Sequence, residues 1–207
     1  RRYPAAADRV LLLENGYEVF GTVRDPDDPR GPGLVRLGER VTVVRADLLD
    51  QVELQRVLTE VAPTELYNLA APSFVPRSWE QPVATAEFAA VGATSLLEAV
   101  RATDPTIRVY QASSSEIFGT PAETPQTEAT ALRPLTPYGV AKAYAHFIAG
   151  SYRHQYGIFA SCGILYNHES PLRPAHFLPR KVSSAVAAIV CGRQQELVLG
   201  DLAARRD

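Results

Sequence analysis

Tyr138 and Lys142 stand four residues apart in the run Tyr138-Gly139-Val140-Ala141-Lys142. On a helix that spacing puts both side chains on one face. An ammonium beside a phenol stabilises the phenolate and brings its pKa toward working pH. Such a tyrosine can take the proton of a sugar hydroxyl while hydride leaves the carbon, and the lysine can hold the ribose of a nicotinamide cofactor. The lysine carries extra weight because the 21 Lys and Arg residues include only two lysines, Lys142 and Lys181. Upstream, the run Val109-Tyr110-Gln111-Ala112-Ser113-Ser114-Ser115-Glu116 ends an apolar stretch in hydroxyls and one carboxylate. A serine there offers a donor to a substrate oxygen, and Glu116 adds a second acid/base group. Taken singly, the pair reads as a solvated helix face and the serines as local loop capping. Together, in this chain order, they form a candidate site.

These side chains need elements that bring them together. Residues 9–14 (RVLLLE) read as the end of a helix closed by Asn15-Gly16. Strands are expected over Tyr17–Val23, Val41–Ala46, Glu65–Leu69, Ile107–Ala112 and Ile158–Leu165, with a short one at Glu196–Leu199. Helices are expected over Gln51–Val61 with Asp50 as N-cap, Val83–Thr103, Tyr138–Tyr156 stopped by Gly157, and Phe177–Cys191. The Pro/Gly/Asp-rich stretch from Arg24 to Gly38 reads as a loop, as does Gly119–Pro137. Strands alternating with helices imply βαβ units: a parallel sheet with helices on both faces, ligands binding at the carboxyl ends of its strands. A doubly wound sheet opens on a strand and a Gly-rich turn before its first helix. Here both are absent, which reads as a truncation, a gap or a sequence error.

Composition bounds the remaining classes. The 207 residues are 46% hydrophobic and 21% charged with a net charge of −2, which is ordinary globular composition with enough chain for a sizeable core. Near-neutral charge argues against nucleic acid or an anionic membrane as partner. The apolar stretch Val182–Val190 is short and interrupted by Ser183 and Ser184, and no membrane span is expected. Two cysteines, Cys162 and Cys191, make no disulfide framework and suit a reducing, cytoplasmic setting. The four histidines lack ligand-like spacing, so no metal is expected, and His146 and His154 read as ordinary helix residues.

Ser113–Gly119 (SSSEIFG), Tyr138–Lys142 (YGVAK) and Ile164–Pro171 (ILYNHESP) together resemble the GDP-mannose 4,6-dehydratases, extended short-chain dehydrogenase/reductases that act on nucleotide sugars. Pro63–Leu69 and Gly200–Asp207 are similar to the same family, so the likeness runs from about Leu11 to Asp207. It implies a Rossmann-type doubly wound α/β fold whose first strand and Gly-rich turn are missing. Residues 1–165 would be the NAD(P)-binding domain, and 166–207 the start of a truncated substrate domain. It implies catalytic roles for Ser114, Glu116, Tyr138 and Lys142. Tyr138 would deprotonate the C4 hydroxyl as hydride passes to NADP, Glu116 would take the C5 proton as water leaves C6, and the hydride would return to C6. The product would be GDP-4-keto-6-deoxymannose. Another nucleotide-sugar epimerase, reductase or dehydratase, and a non-catalytic remnant of the family, are the alternatives.

The resemblance places cofactor contacts at Arg24, Asp47, Leu48, Leu69, Ala70, Ala71, Ser73, Lys142, His168 and Arg173, and substrate contacts at Ser73, Ser114 and Asn167. Arg24 would meet the 2′-phosphate of NADP, yet Asp25 and Asp27 come after it, so NAD stays open. Ser114 replaces a threonine of the family, Ala70 a glycine, Pro72 a glutamine, and Ala84 a cofactor-contacting tyrosine. Leu172 and Pro174 flank Arg173 in place of Arg and Gly. Arg2 and Ala5 fall where the Gly-rich turn has glycines, so against the family Arg1 to Asp8 read as foreign or frame-shifted sequence. The family also implies a homo-oligomer, a dimer or tetramer.

Overall fold

The computed structural model describes residues 11–24, 41–71, 73–169 and 174–203. The region from Arg24 to Gly38, apart from Arg24 itself, and the segment Arg1 to Asp8 lie outside them. The chain divides into two compact units, one ending at Leu165 and the other running from Tyr166.

In the first unit, β1 (Phe20–Val23) pairs in parallel with β2 (Thr42–Arg45). The strands β3 (Glu65–Asn68), β4 (Arg108–Ala112) and β5 (Ala160–Gly163) form a second parallel sheet in the order β3-β4-β5. The α/β expectation with parallel strands holds. Among the described residues β1 and β3 do not pair, and this is where the doubly wound order places its first strand. The Tyr17 hydroxyl donates to Glu65 Oε1 across this break at 3.5 Å.

Helix α1 (Gln51–Val61) has the expected bounds. Asp50 caps it by accepting from Glu53 N at 2.9 Å, and Glu53 Oε2 accepts from Asp47 N at 2.9 Å. The cap thereby fixes the turn after β2 as well as the helix. Leu54, Val57 and Leu58 recur at helical spacing and are buried against α4 (Gly92–Thr103), where Leu96, Leu97 and Val100 face them. Ile107, Val109, Ile158 and Ala160 bring β4 and β5 into the same core.

The long helix expected from Val83 begins earlier and is not uniform. A one-turn helix α2 (Arg77–Glu80), which the sequence pattern did not predict, precedes α3 (Pro82–Ala86). A π-helical turn, Glu87–Val91, then leads into α4. Pro82–Thr103 is long and apolar enough to cross a membrane by length and composition, but half of it is buried within the fold, as in a core helix. Helix α5 (Pro137–Tyr156) starts on Thr136, whose hydroxyl accepts from Gly139 N at 2.9 Å, with Pro137 in the first helical position. It ends on Gly157 at φ +69°, a left-handed stop.

In the second unit, α6 (Leu178–Val190) forms close to its expected bounds. The short strand expected at Glu196–Leu199 does not form: these residues pair with no strand among those described. Lys181 Nζ instead donates to the Val198 carbonyl at 2.6 Å, so a side chain takes the place of a neighbouring strand.

Candidate functional site

Strand β4 delivers the serine run to its carboxyl end, between β5 on one side and the start of α5 on the other. Ser113 N–H donates to the Gly163 carbonyl at 2.9 Å and Ser115 N–H to the Leu165 carbonyl at 2.9 Å, which extend the pairing with β5 beyond the strands. Ser114 caps a 3₁₀ turn, Ser115–Ile117, its hydroxyl oxygen accepting from Glu116 N at 3.3 Å. Glu116 therefore leaves the strand end on a short, capped turn rather than an open loop.

Helix α5 presses its first turn against this segment. An ideal Cβ on Gly139 would stand 2.6 Å from the Glu116 carbonyl oxygen, closer than real Cβ atoms come. Glycine is what lets the helix start lie against the Glu116 turn. Tyr138 and Lys142 are buried beside each other, 8% and 4% exposed, with the ammonium 5.8 Å from the Tyr138 ring centroid. Lys142 Nζ donates to the Ala112 carbonyl at 2.8 Å. Burial pushes the Lys142 pKa down to about 8. Ser114, Glu116, Tyr138 and Lys142 thus come from one strand end and one helix start.

One turn further along α5, His146 Nδ1 lies 3.3 Å from the Ser113 hydroxyl, and burial with the nearby Arg153 charge holds its pKa below the ordinary value. His146 is a partner of the serine run rather than an isolated helix residue. The sequence carried a signal for this: Tyr138, Lys142 and His146 repeat every four residues.

The remaining candidates of the first unit line the ends of other strands. Leu69, Ala70, Ala71 and Ser73 come directly after β3. Asp47 and Leu48 come after β2, with Asp47 Oδ1 accepting from Leu49 N at 3.0 Å and Leu48 close against Gly92 at the start of α4. Arg24 comes after β1, its guanidinium 4.7 Å from the Phe88 ring centroid on the π-helical turn. That cation–π contact gives the charge a fixed seat at the sheet edge. Asn167 and His168 belong to the second unit, where His168 Nδ1 lies 2.9 Å from the Tyr166 carbonyl. Arg173 lies outside the described residues.

Asn68 and Gln111 were not among the expected site residues. Both are almost fully buried, and Asn68 Nδ2 donates to Gln111 Oε1 at 2.7 Å. Strands buried on both faces read as apolar runs, so an amide near the end of each such run was the available clue.

The family model of the GDP-mannose 4,6 dehydratases matches residues 9–207. The GDP-mannose 4,6-dehydratase of Sinorhizobium fredii is 42% identical over 206 residues, covering 95% of this chain and 59% of that protein. The human GDP-mannose 4,6 dehydratase is 41% identical over 207 residues, covering 95% of this chain and 56% of its own length. The chain therefore spans little more than half the length of these relatives. Among solved structures, a UDP-glucose 4-epimerase of Brucella ovis in complex with NAD has a TM-score of 0.70 at 27% identity, covering 77% of this chain and 47% of that one. A dTDP-glucose 4,6-dehydratase of Streptomyces venezuelae, solved with NAD, is alike in fold with a TM-score of 0.77 at 24% identity, covering 90% of this chain and 59% of that one. With the strand-end site in place and the model matched over nearly its whole length, this chain belongs to the GDP-mannose 4,6-dehydratase family.

Proposed function

We propose that the chain is the cofactor-binding part, and the beginning of the substrate-binding part, of a GDP-mannose 4,6-dehydratase. One observation carries the reading: Lys142 is a buried cation set beside Tyr138 at the carboxyl end of β4, where Ser114 and Glu116 also emerge. A structural helix gains nothing from burying an ammonium there, whereas a phenol base does.

The residues fit a nicotinamide dinucleotide. Parallel strand ends carry Arg24, Asp47, Leu48 and Leu69–Ser73, and Lys142 supplies a cation at the ribose position. When bound, the cofactor supplies a hydride acceptor that returns the hydride within the same turnover. Arg24 on Phe88 favours a 2′-phosphate and hence NADP, with NAD as the alternative. By the resemblance alone, His168 and Arg173 would also contact the cofactor, and Ser73, Ser114 and Asn167 would contact GDP-mannose.

Ser114 donates its hydroxyl to the C4 oxygen. Tyr138, beside the Lys142 ammonium, takes the C4 hydroxyl proton. The 4-ketone acidifies C5, and Glu116 takes that proton and passes it to the C6 hydroxyl, which leaves as water. Tyr138 gives its proton to C5 as the hydride returns to C6, so both residues end as they began and nothing is consumed but substrate. The protein works in the cytosol, in keeping with two unpaired cysteines, Cys162 and the exposed Cys191.

It also self-associates. Val140, Tyr144 and Phe147 form an exposed stripe at helical spacing on α5, next to exposed Trp79, Val83 and Val91. Part of it borders an apolar groove of about 460 Å³. A second copy of the same stripe is a self-complementary cover.

The decisive experiment incubates the purified chain with GDP-mannose and NADP and monitors product mass. A product lighter by one water supports the reading. A folded chain that binds neither NADP nor NAD, or that releases water only from another nucleotide sugar, overturns it.

A further inference from the structure

Two side-chain amides lie side by side near the carboxyl ends of β3 and β4, and the proposed dehydration chemistry uses neither. Asn68 and Gln111 are register partners, so they leave the sheet on the same face. They are 4% and 3% exposed. A buried primary amide is costly unless its donors and acceptors are met. Here the contacts fix the direction of each one. Ala70 N–H donates to Asn68 Oδ1 at 3.2 Å, so the Asn68 oxygen faces the turn after β3 and its nitrogen faces Gln111. Asn68 Nδ2 then donates to Gln111 Oε1 at 2.7 Å. Gln111 Nε2 in turn donates to the Ala112 carbonyl at 3.2 Å. That carbonyl is the one that accepts from Lys142 Nζ at 2.8 Å.

The hydrogen bonds therefore run without a break from the Ala70 amide through Asn68 and Gln111 to the Ala112 oxygen, where Lys142 meets them. Reversing either amide sets two donors or two acceptors face to face at both of its ends. The orientation of one link consequently dictates the next, and buried networks of this kind respond as a unit.

We propose that Asn68 and Gln111 are positioning residues that tie the turn after β3 to the carbonyl holding Lys142, so that the two sides of the site are set together. The meaning of this coupling for catalysis rests on the proposed dehydratase site. The coupling itself is a property of the folded chain and is tested without nucleotide or sugar, so its failure and the failure of the dehydratase reading are separate events.

The two-lysine composition makes the test direct. In a sample labelled with [¹³C]lysine, Lys142 and the exposed Lys181 give two side-chain Cε signals, and Lys181 serves as internal reference. The unlinked variant is Asn68→Leu, which alters neither Ala112 nor Lys142. The titration midpoint of Lys142 is expected to move by about half a pH unit or more, with Lys181 unchanged. In Gln111→Met, which leaves Asn68 and Ala70 in place, the Ala70 amide is expected to exchange with solvent about tenfold faster, the loss of roughly one hydrogen bond. Tyr138 and His146 on α5 and Glu116 on the turn after β4 are the same in every sample. If Lys142 titrates as before in Asn68→Leu, or Ala70 exchanges as before in Gln111→Met, each amide is a local filler and the proposal falls. Should those variants fail to fold, the unaltered chain decides: the side-chain NH₂ signals of both Gln111 and Asn68 and the Ala70 amide must shift with the Lys142 midpoint. A response confined to Gln111 overturns the relay.

Discussion

Adding one methyl group at two places on α5 should have opposite effects. At Gly139, an ideal Cβ meets the Glu116 carbonyl oxygen at 2.6 Å and also Pro134 Cβ and Thr136 Oγ1 at 3.2 Å each. The first contact is to backbone, so relief requires the Glu116 turn and the helix start to part by several tenths of an ångström. Forced overpacking of this kind costs about 1–3 kcal/mol, offset by about 0.5–1 kcal/mol from replacing a helical glycine with alanine. At Gly150 the new Cβ meets only the Arg153 Nη2 atom, at 3.7 Å, an ordinary contact. Gly150→Ala keeps the helical gain with no clash. With a urea slope of about 2 kcal/mol per M, Gly139→Ala should lower the unfolding midpoint by about 0.6 M, and by no more than about 1.2 M. Gly150→Ala should raise it by about 0.2–0.5 M. Circular dichroism at equal protein concentration measures both. If Gly139→Ala stabilises as Gly150→Ala does, the Glu116 turn does not rest on α5, and the geometry joining Glu116 to Tyr138 is wrong.

Lys142 is protonated in both folded and unfolded chains below about 8; above that it is neutral when folded and still protonated when unfolded. The unfolded state then binds more protons, so stability should rise between about pH 8 and 10.5. Lys142→Met should flatten that rise in urea titrations at successive pH values. Tyr138→Phe and Glu116→Gln should each cut dehydration about 10²- to 10⁴-fold, the span of a positioned base. In deuterated water Glu116→Gln should also lose deuterium uptake at C5, read by mass. Arg24→Gln should weaken NADP about tenfold or more while changing NAD less than about threefold, by fluorescence titration of the reduced cofactors. Equal losses would remove Arg24 from the 2′-phosphate. Phe147→Glu should shift the protein toward monomer in sedimentation, and no shift would move the contact off this face of α5.

The parts of the fold that local rules govern were legible. Asp50 before Gln51–Val61 gave a capped amphipathic helix with the bounds that formed, and Gly157 marked the stop of α5. Strand ends were read too long because alternation and β-propensity continue past the regular ladder. Tyr17–Val19 and Leu165 lie outside the strands, although Val19 and Leu165 still accept backbone hydrogen bonds from Thr42 and Ser115. Glu196–Leu199 had the composition of a strand but no strand beside it. The π-helical turn at Glu87–Val91 was not read because the Ala-rich sequence on either side of it suits one continuous helix. At the candidate site, Tyr138 and Lys142 stood out by their spacing and Ser114 and Glu116 by their place at a strand end, and the structure brings the four to one strand end and one helix start. Asn68 and Gln111 were not, because their partnership depends on the register of two strands 43 residues apart.

That register also explains why a cation is tolerated where it is. An ammonium 4% exposed, donating to a neutral carbonyl, is destabilised relative to water, and its depressed pKa expresses this. Burying it in an apolar wall would push it further toward neutrality. The Ala112 carbonyl lies instead at the end of a strand whose backbone is fixed on both sides, by β3 through the Asn68–Gln111 pair and by β5 through the Ser113 to Gly163 bond. A carbonyl that cannot turn away is a dipole already aimed at the charge, so the proposed proton transfer at Tyr138 would need no reorganisation there. On the proposed relay the amide pair, the serine run and the helix start act as one device, and the parallel pairing of β3, β4 and β5 is what brings one of the two lysines beside them.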